Sequence, residues 1–396
     1  MLFLLCLAAY LVNFRTVPLA LTFADSGLKT VVYDINRSVV ESIRAGRMPF
    51  REDGADEMLT RVLASSCLEV EDSPSLLSTC EFVVLIVGTP VDEHLNPNFT
   101  AMQRALEQCL SALRDGQTLI LRSTIFPGIS AYTRRWLRDR GLDVQVAFCP
   151  ERVAQGQSLR EFRTLPQIIS AFEPETLAKI RALFSRFTPD FVEVEPMEAE
   201  LAKLMTNAWR YLQFATVNQF YMIATQHGLD FDRILHACRY NYPRMAGMPG
   251  PGFAAGPCLV KDTMQLAAFS GNHFVLGHAA MLINEGLPAF MIEMAEREGE
   301  LTNLTAGILG MSFKAESDDP RDSLSYKLRK VLKLKARDVL CSDPYINDPS
   351  FVTGEELLAK AEVIFVGTPH PDYRGLRVPA GRRVYDVWSI LSKEQQ

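Results

Sequence analysis

The stretch Glu81-Phe82-Val83-Val84-Leu85-Ile86-Val87-Gly88-Thr89-Pro90 nearly recurs at Ala361-Glu362-Val363-Ile364-Phe365-Val366-Gly367-Thr368-Pro369. An unbroken apolar run of this length predicts a strand covered on both faces, as in a parallel sheet with helices packed on each side. Two strand ends can coincide by chance, but strand-Gly-Thr-Pro twice in one chain points to one fold used twice. A second echo supports this: Thr30 to Tyr33 closes in Asp34, and Val339-Leu340-Cys341-Ser342 closes in Asp343. The expected fold class is α/β, with two Rossmann-like domains of parallel strands, one at each end of the chain.

Around the first copy the order is that of a dinucleotide-binding βαβ unit. Pro18 to Ala24 reads as a helix, Gly27 stops it, and the next strand ends in Asp34, where an acid accepts hydrogen bonds from a ribose. Met1 to Val12 is apolar but lacks a basic start and a cleavage site, and it is shorter than the roughly 20 residues that span a bilayer. It is expected to be the buried first strand. The glycine fingerprint that should follow is missing: the turn reads Leu11-Val12-Asn13-Phe14-Arg15-Thr16. Side chains there would crowd a pyrophosphate. Gln117 to Ser123 is another buried strand, and ligands of open α/β sheets bind outside such strand ends, so Thr89, Ser123 and Thr124 are candidate contacts.

Between the two copies, Glu198 to His227 contains no Pro or Gly, and Leu201, Leu204, Met205, Ala208, Leu212 and Ala215 recur at helical spacing. This is the long central helix of a helical domain, a spine or a subunit interface. Glu200, Lys203 and Asn207 project from one face of it. They are either a solvated polar stripe or an ammonium and a carboxamide one turn apart, suited to a developing oxyanion. Further on, Pro249-Gly250-Pro251-Gly252-Phe253-Ala254-Ala255-Gly256-Pro257 delivers Cys258 to the start of a helix that opens with Lys261-Asp262. Small residues let backbone approach a ligand, and a helix N-terminus favours thiolate. A nucleophile and a buried, inert thiol both fit that pattern.

Composition narrows the function classes. The other seven cysteines show no CxxC pair and no His at ligand spacing, so neither disulfides nor a metal is expected, and the chain reads as reduced and cytoplasmic. A net charge of −6 gives no electrostatic case for nucleic acid. With 22% charged and 48% hydrophobic residues the composition is ordinary globular, and neither nucleic acid nor membrane is an expected partner. The substrate is expected to be small.

From Pro18 to the last strand near Trp388 the chain resembles the nucleotide-sugar 6-dehydrogenases, which act on UDP-glucose, GDP-mannose or UDP-N-acetylhexosamines. The resemblance rests on an ordered set: Gly46-Arg47-Met48-Pro49-Phe50, Thr89-Pro90-Val91-Asp92, Ser123-Thr124 with Pro127-Gly128, and Pro150-Glu151-Arg152 with Gly156. Glu200 to Asn207, the Cys258 loop, Gly310-Met311-Ser312-Phe313-Lys314 and Asp318-Asp319-Pro320-Arg321-Asp322-Ser323 complete it.

The resemblance implies a division into an NAD-binding Rossmann-like domain (1–196), a helical dimerisation domain (197–300) and a UDP-sugar-binding Rossmann-like domain (301–396). It implies oxidation of the sugar C6 alcohol to a carboxylate using two NAD molecules in turn, through a cysteine thiohemiacetal and thioester. Cys258 would be the nucleophile, Lys203 and Asn207 would stabilise oxyanions, Asp262 would orient or deprotonate water, and Thr124 and Glu151 would hold the reacting end or its water. Asp34, Arg37, Thr89, Ser123, Thr124 and Glu151 would meet NAD; Arg244, Gly252, Lys314 and Arg321 would meet the substrate, Arg244 often across a homodimer interface. Arg152 and Leu165-Pro166-Gln167-Ile168 look closer to the UDP-N-acetylhexosamine branch, UDP-N-acetylmannosamine included, than to the UDP-glucose branch. The chain departs from the family at Leu11, Asn13 and Thr16, where glycines are usual. That leaves three readings open: an altered N-terminal segment, a tolerated turn, or a nucleotide-sugar binder that oxidises poorly.

Overall fold

The computed structural model describes residues 4–10, 16–88 and 100–391. Two compact units divide the chain, Met1–Thr206 and Asn207–Gln396.

The first unit holds one eight-stranded sheet. Its strands are β1 (Leu4–Tyr10), β2 (Lys29–Asp34), β3 (Leu68–Glu71), β4 (Phe82–Val87), β5 (Thr118–Leu121), β6 (Gln145–Phe148), β7 (Gln167–Ala171) and β8 (Phe191–Glu193). They are ordered β3-β2-β1-β4-β5-β6-β7-β8, and the first six are parallel in the doubly wound order of a dinucleotide-binding fold. β7 runs antiparallel to β6, a step that the parallel-sheet expectation did not contain. The apolar N-terminal run is β1, paired with β2 on one side and β4 on the other.

Alternation explains why β4 reads as a continuous apolar run. Phe82, Val84 and Ile86 face one core cluster while Val83, Leu85 and Val87 face the other, so every position is buried. Each such side chain contributes about 1.5–3 kcal/mol by leaving water. The helix Thr16–Asp25 covers the first of these faces, and Gly27, at φ 82, turns the chain back into β2.

In the second unit a smaller sheet comprises β9 (Thr305–Leu309), β10 (Asp338–Ser342), β11 (Val363–Val366) and β12 (Arg383–Tyr385), all parallel and ordered β10-β9-β11-β12. The repeat seen in sequence is therefore real: the second copy is β11, beside the first strand of its sheet as β4 is beside β1. Along the chain, only helices occur between β8 and β9 among the described residues. The longest, Pro196–Gln226, is the expected central helix, and Phe231–Arg239, Leu259–Phe269 and Val275–Arg297 follow it.

Candidate functional site

Cys258 occupies the N-cap of the helix Leu259–Phe269. Two glycines fix the loop that brings it there. Gly252 lies at φ 152, where a Cβ would meet the Trp388 ring at 2.2 Å, and Gly256 lies at φ 99 with the Phe313 ring 2.6 Å from the same position. No side chain fits at either, so the loop packs backbone against aromatic faces. Asn218 holds Gly252 from the other side: its Oδ1 accepts from the Gly252 N–H at 2.8 Å and its Nδ2 donates to the Gly252 carbonyl at 2.9 Å. The second Nδ2 hydrogen goes to Asn284 Oδ1 at 2.9 Å, and Asn284 donates to the Tyr211 carbonyl at 3.1 Å.

Burial separates Cys258 from other thiols of the chain. Desolvation pushes Cys109 and Cys341 up to about 11 and Cys149 up to about 12, which makes them inert at neutral pH. Cys67, Cys238 and Cys258 are only partly buried, and of these three Cys258 alone begins a helix. Asp262, in the first turn of that helix, is fully buried. Its Oδ2 accepts from Asn207 Nδ2 at 2.6 Å, and Lys261 Nζ lies 3.1 Å from its Oδ1. The carboxylate is thus committed to orienting an amide and an ammonium.

On the long helix the solvated-stripe reading fails, because Glu200, Lys203 and Asn207 are all at most 5% exposed. Glu200 takes the Gly128 N–H at 2.6 Å and the Ser130 N–H at 2.9 Å, so it caps the helix Ile129–Arg138, whose N-terminal glycine has no side chain to do so. Burial pushes its carboxyl up, and these donors oppose that shift. Lys203 and Asn207 remain as the buried cation and carboxamide one turn apart on the helix.

Of the predicted cofactor contacts of the first unit, Asp34, Ser123, Thr124 and Glu151 lie at or just after the carboxyl ends of its parallel strands. Asp34 closes β2 and is 1% exposed. Its Oδ1 accepts from the Asn36 N–H at 2.7 Å, whereas its buried Oδ2 has no hydrogen-bond partner among the described residues. Desolvation pushes the carboxyl up to about 6, against the Asn36 bond that lowers it. An orphaned buried carboxylate oxygen at this strand end fits a ribose diol, so the residues present suit NAD. Ser123 ties two strand ends together, its Oγ accepting from the Val87 N–H at 2.6 Å, and Thr124 beside it is buried.

Glu151 is held more firmly than the sequence suggested. Its Oε2 pairs with buried Arg122 at 2.8 Å and its Oε1 accepts from the Arg152 and Val153 N–H groups. Arg122 also bonds the Cys149 carbonyl and Gln167, with its guanidinium over the Phe184 ring. Arg37 is exposed beside Asp72, and Thr89 lies outside the described residues, as do positions 11–15 of the anomalous turn.

Of the predicted substrate contacts, Arg321 forms a bidentate pair with Asp319, Nε to Oδ1 at 2.9 Å and Nη2 to Oδ2 at 2.6 Å, and Arg244 is exposed on a short turn against Tyr242. Lys314 is half-buried in the loop after β9. Asn218, Asn284 and Trp388 were not singled out from sequence. For Asn218 a signal existed, since it lies eleven residues, or about three turns, after Asn207 in an unbroken helix and so shares its face.

Comparison with known proteins agrees with this layout. The UDP-glucose/GDP-mannose dehydrogenase family matches in three consecutive parts: its NAD binding domain at residues 16–188, its central domain at 197–285 and its UDP binding domain at 307–393. The UDP-N-acetyl-D-mannosamine dehydrogenase of Pyrococcus horikoshii is 28% identical over 371 residues, covering 91% of this chain and 88% of that protein. The NDP-N-acetyl-D-galactosaminuronic acid dehydrogenase of Ralstonia solanacearum is 24% identical, covering 92% and 93%. Among solved structures, a UDP-D-ManNAc dehydrogenase from P. horikoshii superposes with a TM-score of 0.91 at 26% identity over 98% of this chain and 96% of the other. A UDP-glucose dehydrogenase from Pyrobaculum islandicum gives 0.90 at 25% over 97% and 94%. With both Rossmann-like sheets, the helices between them and the cysteine loop accounted for by one ordered set of domains, the chain belongs to the UDP-glucose/GDP-mannose dehydrogenase family.

Proposed function

We propose that this protein oxidises the C6 alcohol of a UDP-N-acetylhexosamine, UDP-N-acetylmannosamine first among them, to the uronate, a donor for surface polysaccharide synthesis. The observation that carries the proposal is Cys258 at a helix N-cap, with the Asn207–Asp262 hydrogen bond anchored in that helix's first turn.

NAD, when bound, accepts the hydride in each of the two oxidations; Asp34 would hold its ribose, with Arg37, Thr89, Ser123 and Thr124 completing the contacts. The first oxidation removes a hydride from C6 and a proton from its hydroxyl oxygen and leaves an aldehyde. The Cys258 thiolate adds to that carbonyl carbon and the oxyanion takes a proton, giving the thiohemiacetal. Loss of that proton and a hydride yields the thioester, and water cleaves the C–S bond to release carboxylate and thiol.

Lys203 and Asn207 stabilise the oxyanions of addition and hydrolysis. Asp262 holds the Asn207 amide in place and balances the charge of Lys261, a positioning role that its burial favours over direct deprotonation of water. Thr124 and Glu151 hold the reacting end, Glu151 through the segment it fixes with Arg122. Gly252, Arg244, Lys314 and Arg321 contact the nucleotide sugar.

The three-part division at 1–196, 197–300 and 301–396 is retained as part of this reading. So is a cytoplasmic homodimer. The long helix exposes Trp209, Phe220 and Ile223 at spacings of eleven and three residues on one face, and Val275, Leu276 and Leu282 are exposed on a later helix. The helix Val275–Arg297 is long and apolar enough to cross a membrane, but Leu287, Phe290, Met291 and Ala295 pack into the core of the second unit.

The test is NADH absorbance with UDP-glucose, UDP-N-acetylglucosamine and UDP-N-acetylmannosamine. Two NADH per sugar, with the highest kcat/KM on an N-acetylhexosamine, is the expected result. Highest kcat/KM on UDP-glucose would make the chain a UDP-glucose 6-dehydrogenase. Binding without NADH would make it a nucleotide-sugar binder, one of the three readings that the turn at residues 11–16 leaves open.

A further inference from the structure

Asp34 and Asp343 end the corresponding strands of the two Rossmann-like sheets, but only Asp34 keeps an oxygen for a ligand. Asp343 spends both of its own. Oδ1 accepts from the Tyr345 and Ile346 N–H groups at 2.9 and 3.1 Å, and Oδ2 accepts from the Met311 and Ser312 N–H groups at 2.7 and 2.9 Å. His370 Nε2 lies 3.1 Å from the same Oδ2.

His370 is completely buried, and its neighbours fix its tautomer. The Glu316 N–H donates to Nδ1 at 3.1 Å, so Nδ1 carries no hydrogen and Nε2 does. That hydrogen is shared between Asp343 Oδ2 and Ser312 Oγ, which is 3.1 Å away; the Ser312 hydroxyl in turn donates to the Lys314 carbonyl at 2.8 Å. Thr368 donates to the Ser312 carbonyl, so the Gly-Thr-Pro copy after β11 grips the same loop. The loop Met311–Glu316 is therefore pinned at Met311, Ser312 and Glu316, on both sides of Lys314. Glu316 sits at φ 55, a left-handed conformation that is strained for a non-glycine residue and persists because its amide is held.

We propose that His370 is a positioning residue for nucleotide-sugar binding: by holding the Glu316 amide and the Ser312 hydroxyl it sets the loop that presents Lys314 to the nucleotide part of the substrate. The inference rests on Lys314 being a substrate contact, as read above. It assigns the second sheet's acid to loop construction in place of ribose recognition.

The experiment compares wild type, His370→Ala and His370→Asn in the full-length protein. It reads KM for the UDP-sugar and for NAD separately, Kd for UDP by calorimetry, and amide exchange of the peptide covering 310–317. Asn keeps a carboxamide oxygen within reach of the Glu316 N–H; Ala does not. Loss of a buried hydrogen bond should accelerate exchange in this peptide and weaken UDP and the UDP-sugar roughly tenfold in His370→Ala, with NAD KM and kcat within about twofold and most of the loss recovered in His370→Asn. A lowered Tm with UDP affinity unchanged, parallel rises in both KM values, or an Asn variant no better than Ala would overturn the proposal. If wild type makes no NADH, the enzymatic reading fails while UDP affinity and exchange still decide this one; a wild type that binds no UDP overturns it.

Discussion

Asn207 Nδ2 lies 2.6 Å from Asp262 Oδ2, joining the long helix to the first turn of the Cys258 helix through a fully buried carboxylate. The bond leaves the second Nδ2 hydrogen of Asn207 to serve an oxyanion, so its removal should cost turnover more than binding. Asn207→Ala is expected to lower kcat by about 10²–10³ with a smaller change in KM. Asp262→Asn should lose much of the same factor. Steady-state kinetics of both single variants and the pair tests this, since residues acting through one bond give a double variant little worse than either single one.

Replacing the thiol separates the two oxidations. Cys258→Ser retains size and polarity but offers a far weaker nucleophile, so the alcohol-to-aldehyde step should survive while the thioester route closes. NADH yield is expected to fall from two per sugar toward one or less, with aldehyde trapped by hydroxylamine. A variant that still forms two NADH at the wild-type rate would remove Cys258 from the mechanism.

Asp34 gives a pH dependence of defined sign. Its folded carboxyl titrates at about 6, above its ordinary 3.8, so the folded chain binds more protons than the unfolded chain between those values. Stability from this group is therefore greatest below about pH 4 and declines until about pH 6, by on the order of 3 kcal/mol. Ribose hydroxyls donating to the anion would reverse the penalty. NAD affinity should thus rise as pH increases from 5 to 7, with proton release on binding, and Asp34→Asn should flatten the profile. Calorimetry in buffers of different ionisation enthalpy checks both.

The turn at Leu11, Asn13 and Thr16 offers an independent lever on the same cofactor. If its side chains crowd the pyrophosphate, placing glycine at the three positions should lower the NAD Kd while leaving UDP affinity unchanged. An unchanged NAD Kd would show that the turn is not the obstacle.

What could be read from sequence was what short-range pattern encodes. The two strand-Gly-Thr-Pro copies became β4 and β11, and the Asp34 and Asp343 strand ends fell where the repeat required. The long helix runs from Pro196 to Gln226 against an expected span of Glu198 to His227. Partnerships across the chain were not legible, because a side chain's partner depends on the fold. Glu151 meets Arg122 29 residues away, Glu200 meets Gly128 72 away, and His370 meets Ser312 58 away. A polar residue on an apolar helix face signals that a partner exists without naming it.

Asn218 is the case where that missing partner matters most for the nucleophile. Its amide uses all three of its bonds on Gly252 and Asn284, matching the Gly252 backbone donor to acceptor six residues before Cys258. Asn218→Ala would strand the Gly252 N–H, the Gly252 carbonyl and the Asn284 carboxamide oxygen, with each buried group left unpaired costing about 1–3 kcal/mol. Asn218→Asp keeps the acceptor for Gly252 but sets a buried negative charge against two carbonyl oxygens, so it should destabilise more than alanine does. Tm should fall by roughly 2–4 °C per kcal/mol for a unit of this size. Because the same contact sets the cysteine loop, the alkylation rate of Cys258 by iodoacetamide should change in Asn218→Ala at temperatures well below its Tm. Asn284→Ala, which removes only the outer link of the chain, should share the loss of stability but leave the alkylation rate closer to wild type. Equal alkylation rates in all three proteins would reduce Asn218 to a core amide with no bearing on the nucleophile.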